Sequence, residues 1–201
     1  MSDSGPDELA PAAAPRLFVA VWPRPEVVDA LARLPRPDVP GLRWTGPDHW
    51  HVTLVFLGAS DLLATRAAFQ AMPLGPETVT AELGPTTERF GRTIVHIPVA
   101  GLDEVAAAVR AALPGDEARP FRGHTVEPFR GHAVQPLQGH AARPFRGHLT
   151  LARARSRRGV DLDEVVGLPF TASFLVSEIT LVSSVLGHGP PKYEVVARRA
   201  L

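Results

Sequence analysis

The 201-residue chain contains no cysteine. That excludes disulfides, a thiolate nucleophile and any thiol-based metal site. Lys192 is its single lysine, so arginine carries nearly all the basic charge, and the abundance of alanine, proline and glycine makes this a compositional bias rather than a functional signal. Net charge is missing too: 21 basic side chains balance 21 acidic ones. No global field therefore draws the chain towards nucleic acid. No apolar run approaches the length of a membrane span, and no basic stretch followed by an apolar core opens the chain. A soluble cytoplasmic protein without membrane attachment is expected, with a monomer as the default. Acidic residues do not cluster at ligand spacing, and Asp48 and Asp61 read as turn and cap residues, so neither metal nor cofactor is expected.

Two short runs carry chemistry. Trp50-His51-Val52-Thr53-Leu54-Val55-Phe56-Leu57-Gly58 and His148-Leu149-Thr150-Leu151-Ala152-Arg153 are both of strand length, and each contains His-x-Thr. Side chains alternate across a strand, so His51 and Thr53 share one face, as do His148 and Thr150, with apolar residues behind. Two such strands side by side would set two imidazoles and two hydroxyls around one small anion. His49 and His96 have no hydroxyl two residues on, and His188 lies in a Gly/Pro turn. These three read as structural.

Taken in order, residues 1–15 are a polar, Pro/Ala-rich tail with nothing to pack. Leu17–Trp22 reads as a central strand, apolar throughout. Pro25 opens a helix with Val27, Val28, Leu31 and Leu34 inward, and Leu42–Trp44 is a short extended piece. Ser60 or Asp61 caps a second helix running to about Met72, with Leu62, Leu63 and Phe69 inward. Val79–Leu83 and Thr93–Val99 read as strands, with a turn at Phe90-Gly91-Arg92. Leu102–Leu113 has the clearest helical spacing, and Asp103 and Glu104 suit its first turn. A short helix near Leu162–Val166 and strands at Ala172–Val176, Glu178–Val185 and Tyr193–Ala197 complete the chain. Helix and strand in mixed order indicate an α+β fold. The length fits one domain over 16–201.

Between these elements, residues 117–148 read EARPFRGH, TVEPFRGH, AVQPLQGH and AARPFRGH, four eight-residue units ending at His124, His132, His140 and His148. Period eight suits neither helix nor strand, and every unit carries Pro and Gly. Residues 117–140 therefore read as a loop insertion made by tandem duplication, which adds little closure entropy. The alternative is phosphate or metal binding by the repeated Arg and His.

In order and spacing the sequence resembles the bacterial RNA 2′,3′-cyclic phosphodiesterases, historically called 2′-5′ RNA ligases, of the two-histidine (2H) phosphoesterase superfamily. The resemblance rests on Arg16-Leu17-Phe18-Val19-Ala20, on Arg43-Trp44, and on the two His-x-Thr runs with Phe56-Leu57-Gly58 closing the first. It extends to Glu178-Ile179-Thr180-Leu181, Ser184-Val185-Leu186 and Tyr193-Glu194-Val195. Two departures stand out: Gly147 where the family usually has proline, and the repeat before the second motif. The resemblance implies two pseudo-symmetric lobes of mostly antiparallel sheet with outer helices around a central cleft. It also implies His51 as proton donor and His148 as proton acceptor, acting on RNA with a 2′,3′-cyclic phosphate terminus to leave a 2′-phosphate. The chemistry agrees, because a histidine's ordinary pKa lets it serve as either base or acid. Thr53 and Thr150 suit the non-bridging oxygens, and Arg153 a phosphate fork. Spacing alone leaves the two histidines interchangeable. Arg155, Arg157 and Arg158 read either as a backbone-tracking group or as a solvated basic turn.

Overall fold

The computed structural model describes residues 15–75, 77–113, 144–185 and 191–201. The octapeptide run at 117–140, residues 1–14 of the tail, and His188 lie outside them. Among the described residues there are ten strands and three α-helices.

The first strand, β1 (Arg16–Val21), leads into helix α1 (Pro25–Ala32), where proline occupies the first turn and needs no N–H partner. Val27 and Leu31 of α1 are buried. After β2 (Leu42–Trp44) and a 3-10 turn at Pro47–His49 comes β3 (Val52–Ala59), which starts just after His51. Helix α2 (Leu62–Ala71) is capped by Asp61, whose carboxylate accepts the Ala64 N–H at 2.7 Å. Phe69 faces inward, but Leu63 is 76% exposed, contrary to the sequence expectation. Leu62 and Phe69, seven residues apart, share one stripe, and Leu63 lies a step of ~100° around the helix from it.

Next come β4 (Val79–Leu83), β5 (Glu88–Phe90) and β6 (Ile94–Ala100), with Gly91 at φ 57° turning β5 into β6. The strand β5 was not legible beside that turn. Helix α3 (Asp103–Ala112) then precedes β7 (His148–Ala154), β8 (Ala172–Val176), β9 (Glu178–Val185) and β10 (Lys192–Ala200). The expected helix at Leu162–Val166 is a single turn. The amides of Val165 and Val166 both donate to the Leu162 carbonyl at 3.0 Å, and Gly167 at φ 81° followed by Pro169 ends the run.

The strands run β10-β9-β1-β3-β7-β6-β4-β8, with β2 beside β7 and β5 beside β6, and every ladder is antiparallel. The order falls into two lobes, β10-β9-β1-β3 and β7-β6-β4-β8, which meet at the pair Val52↔Leu149. This is the expected α+β architecture, with both motif strands at its centre. One continuous core runs behind both lobes and includes Leu17, Val52, Leu149, Ile97 and Leu181. The helices cover it through Val27, Leu31, Phe69, Val105 and Val109. A separate small cluster of Phe18, Ala20 and Val182, flanked by Trp22 and Tyr193, lies on the opposite, cleft face.

Simple alternation fails at the same place in both motif strands. Along β1, Ala20 pairs with Thr53 and Val19 with Val55, so Leu54 is an extra residue. Along β6, His96 pairs with Thr150 and Val95 with Ala152, so Leu151 is extra. Each bulge turns the following residues over by one step. Thr53 and Phe56 thus share the cleft face, as do His148, Thr150 and Arg153. The carbonyls at these bulges find donors: Arg110 Nε of α3 reaches Leu54 O at 3.2 Å. The Thr45 hydroxyl lies 2.9 Å from Thr150 O and 2.8 Å from Leu151 O.

Gly147 explains its own departure from the family pattern. Its carbonyl accepts the Val99 N–H at 2.9 Å, and a Cβ placed on it would meet Val99 O at 2.3 Å. Close approach of the backbones where β7 begins leaves no room for a side chain.

Candidate active site

The pair Val52↔Leu149 sets the register of the two motifs. Counting out from it, Thr53 comes beside His148 and His51 beside Thr150. The two histidines are held identically. His51 Nδ1–H donates to the His49 carbonyl at 2.8 Å, and His148 Nδ1–H to the Arg146 carbonyl at 2.8 Å. A carbonyl oxygen can only accept, so in each neutral ring the proton sits on Nδ1 and Nε2 carries the lone pair.

The surroundings differ. His51 stands among Phe18, Trp22 and Tyr193, with ring centres 5.0, 5.2 and 5.3 Å away. Trp22 is fixed there by its Nε1–H bond to the Thr180 hydroxyl at 2.8 Å, which itself donates to Ala20 O at 3.1 Å. Burial among these rings pushes the His51 pKa down to about 4. The bond to His49 opposes the fall, while the charges of Arg153, His49 and His148 add to it. His148 is flanked by Phe90 at 4.9 Å and His96 at 5.5 Å. Its pKa is also lowered, chiefly by burial and then by Arg153, against the bond to Arg146. Both rings are therefore neutral at pH 7 with nothing bound.

Arg153 reaches the Thr150 hydroxyl at 3.5 Å. Burial lowers its pKa and the neighbouring Tyr193 raises it. Burial in turn raises Tyr193, and Arg153 lowers it. Arg153 on one lobe and Tyr193 on the other thus lie within electrostatic reach across the cleft. All five residues singled out from the sequence, His51, Thr53, His148, Thr150 and Arg153, come together where the lobes meet. The arrangement can hold one anion between a cation and hydroxyls, with a proton acceptor or donor on either side.

Phe90, His96 and Tyr193 complete the walls but carry no His-x-Thr signal. His96 stacks on Phe90 at 3.9 Å with the planes 10° apart, and is only 2% exposed. Burial, with a smaller contribution from His148, pushes its pKa down to about 4. It is neutral, and Glu88, half-exposed and 3.8 Å from Nε2, forms no ion pair with it. The unfolded chain binds a proton there near pH 6.5, whereas the folded one does so only near 4. Stability should thus be flat above pH 6.5 and fall as pH drops towards 4, by up to about 3 kcal/mol from this ring. Denaturant midpoints measured across that window should show a shallower acid slope in His96→Leu than in the parent. An unchanged slope would assign the acid sensitivity to other groups.

His49 plays the expected structural part: its Nε2–H donates to Pro191 O at 2.9 Å, and its ring lies 5.1 Å from Tyr193. Arg157 and Arg158 are exposed in the turn after β7. Among the described residues no three His, Asp or Glu side chains converge as a metal site, and no helix is long and apolar enough to cross a membrane.

Neither a family model nor a curated protein sequence matches the chain. Solved structures do. TT0787 of Thermus thermophilus superposes with a TM-score of 0.67 at 25% identity, covering 92% of this chain and 97% of its own. A protein described as a phosphoesterase gives 0.64 at 23%, covering 94% and 98%. LigT of E. coli, in complex with 3′-AMP, gives 0.63 at 24%, covering 93% and 98%. With the topology and the cleft described above, these likenesses establish that the chain has the LigT-like, two-histidine phosphoesterase fold.

Proposed function

We propose that the protein hydrolyses RNA 2′,3′-cyclic phosphodiester ends to 2′-phosphomonoesters, without a metal or cofactor. The observation that carries this reading is the matched pair of imidazoles. Each is locked by an Nδ1–H bond to a backbone carbonyl two residues back, and each stands at the start of a central strand, His51 just before β3 and His148 opening β7, with a threonine two residues on. His148 Nε2 takes a proton from water as the water oxygen attacks phosphorus. The bond from phosphorus to the 3′ oxygen breaks, and protonated His51 delivers its Nε2 proton to that oxygen. One water is added, the product keeps a 2′-phosphate, and the two rings exchange protonation states before solvent resets them. The Thr53 and Thr150 hydroxyls and the Arg153 guanidinium hold the non-bridging oxygens, whose charge persists throughout. E. coli LigT has been crystallised with phosphate and with 3′-AMP, which supports a phosphate-sized site in this fold.

Incubation of a short RNA bearing a 2′,3′-cyclic phosphate should give a product heavier by one water. Phosphorus NMR should place the phosphate on the 2′ oxygen, and added EDTA should leave the rate unchanged. Unaltered RNA would favour a non-catalytic RNA-binding protein, and joining to a second RNA with a free 5′-hydroxyl would favour a ligase. Loss of turnover with EDTA would overturn the metal-free scheme.

A further inference from the structure

A regular strand sends every second side chain to one face and points successive carbonyls to opposite sides. Both rules fail in the second motif strand. Leu151 and Ala152 are consecutive, yet both are buried. The carbonyls of Thr150 and Leu151 converge on a single oxygen, the Thr45 hydroxyl, at 2.9 and 2.8 Å. Two carbonyl dipoles aimed at one point repel each other, and a donor set between them offsets the repulsion. The Thr45 N–H adds a further bond to Leu151 O at 2.8 Å. The matching bulge in the first motif strand is served differently, by Arg110 Nε on the Leu54 carbonyl.

The topology delivers Thr45 to this place. β2 pairs with β7 through Leu42↔Ala154, Arg43↔Arg153 and Trp44↔Ala152, so the next residue, Thr45, arrives opposite Leu151. The chain then turns at Gly46, whose carbonyl accepts the His49 N–H at 3.0 Å, and runs on to His51. β3 and β7 themselves share one ladder pair, Val52↔Leu149. Thr45 thus ties the approach to one motif histidine to the bulge in the other's strand.

We infer that Thr45 is a positioning residue for Arg153: its hydroxyl holds the β7 bulge open, and the bulge is what brings the guanidinium to the cleft face. The link to turnover rests on the function proposed above, whereas the placement of Arg153 does not. Threonine suits the post, because its branched Cβ restricts χ1 and fixes the direction of the hydroxyl. Without that donor the bulge loses its brace. Plain alternation would turn Arg153 to the side of Leu149 and Leu151, where an unpaired guanidinium is costly. The strand end would loosen instead, and the charge would leave the imidazoles.

The test is Thr45→Val, which keeps the shape and removes the hydroxyl, beside Thr45→Ser, which keeps the hydroxyl. Two measurements separate positioning from simple support. The first is NMR titration of the His51 and His148 rings in the free protein. Burial holds both below their ordinary range, and the Arg153 charge adds to it. The other groups facing these rings are His49 and Tyr193 at His51, and His96, backed by Glu88, at His148. Among the described residues Thr45 bonds to none of them. Both midpoints should therefore rise in Thr45→Val, as in Arg153→Ala, because the guanidinium has moved away. The second is kcat/KM for a 2′,3′-cyclic nucleotide. It should fall roughly tenfold to a hundredfold in Thr45→Val, the cost of a small misplacement, and recover in Thr45→Ser. Adding Thr45→Val to Arg153→Ala should lower it no further. Unmoved midpoints in a folded Thr45→Val overturn the inference. So do losses that multiply in the double variant, or a Thr45→Ser that behaves like Thr45→Val. If the parent opens no cyclic phosphate, the proposed function fails, and the histidine titration alone decides for or against Thr45.

Discussion

Replacing His148 by alanine should lower kcat for opening a 2′,3′-cyclic phosphate by roughly 10²–10⁴-fold, the range a positioned acid or base contributes. His51→Ala should cost about as much on the same substrate. The two variants part company when the leaving group changes. A p-nitrophenyl phosphodiester expels an anion that needs no proton. On it His51→Ala should recover most of its loss, whereas His148→Ala should not, because water must still be deprotonated. Both variants keep Thr53, Thr150 and Arg153, so titration with inorganic phosphate should still show binding. Full turnover by His148→Ala would reject the site. Recovery by His148→Ala instead of His51→Ala would exchange the proposed roles.

The pH profile follows from the same two rings. In the proposed mechanism the active form carries one proton between them. Both free-protein pKa values lie below 6.5, His51 at about 4. The proton is lost as pH rises through those values, so kcat/KM should decline on the alkaline side from below pH 6.5, and again in acid once both rings are charged. A bound phosphodiester anion favours imidazolium. The alkaline limb of kcat, which reports the complex, should therefore stand at higher pH than that of kcat/KM.

The motif strands and the α+β class were legible because they depend on apolar runs and on two spaced imidazoles, whereas the two lobes were what the family resemblance implied. The faces were only half legible. Period-two alternation places His148 and Thr150 together but puts Arg153 on the face of Leu149 and Leu151. Only the bulge at Leu151 brings it round. Nothing in a single sequence marks that residue, since Leu54 and Leu151 look like ordinary core leucines. Leu63 misled because one apolar residue more than a stripe needs can simply face solvent. His96 reads as structural from its sequence neighbours, and it does pack, stacked on Phe90, but its edge also lies 5.5 Å from the His148 ring. The aromatic walls come from strands distant in sequence, β1, β5 and β10, and only tertiary pairing assembles them.

Arg153 is where the bulge, the charge and the acid–base pair meet, and its removal should have two effects of different kinds. Without the guanidinium, the non-bridging oxygens lose their cation, and kcat/KM for the cyclic phosphate should fall by roughly 10²–10³-fold, as when one preorganised donor is removed from a developing anion. The same cation lowers the pKa of both motif histidines. In Arg153→Ala the residual activity should therefore show an alkaline limb displaced to higher pH. Arg153→Lys keeps the positive charge but not the planar fork. It should fall between the parent and alanine in rate while leaving the limb close to that of the parent. Rate loss in Arg153→Ala with no movement of the limb would mean that the guanidinium holds substrate without sharing a field with the imidazoles, and the electrostatic coupling of the site would have to be abandoned. A limb that moves equally in both variants would show that geometry at the bulge, rather than charge, sets the protonation of the pair.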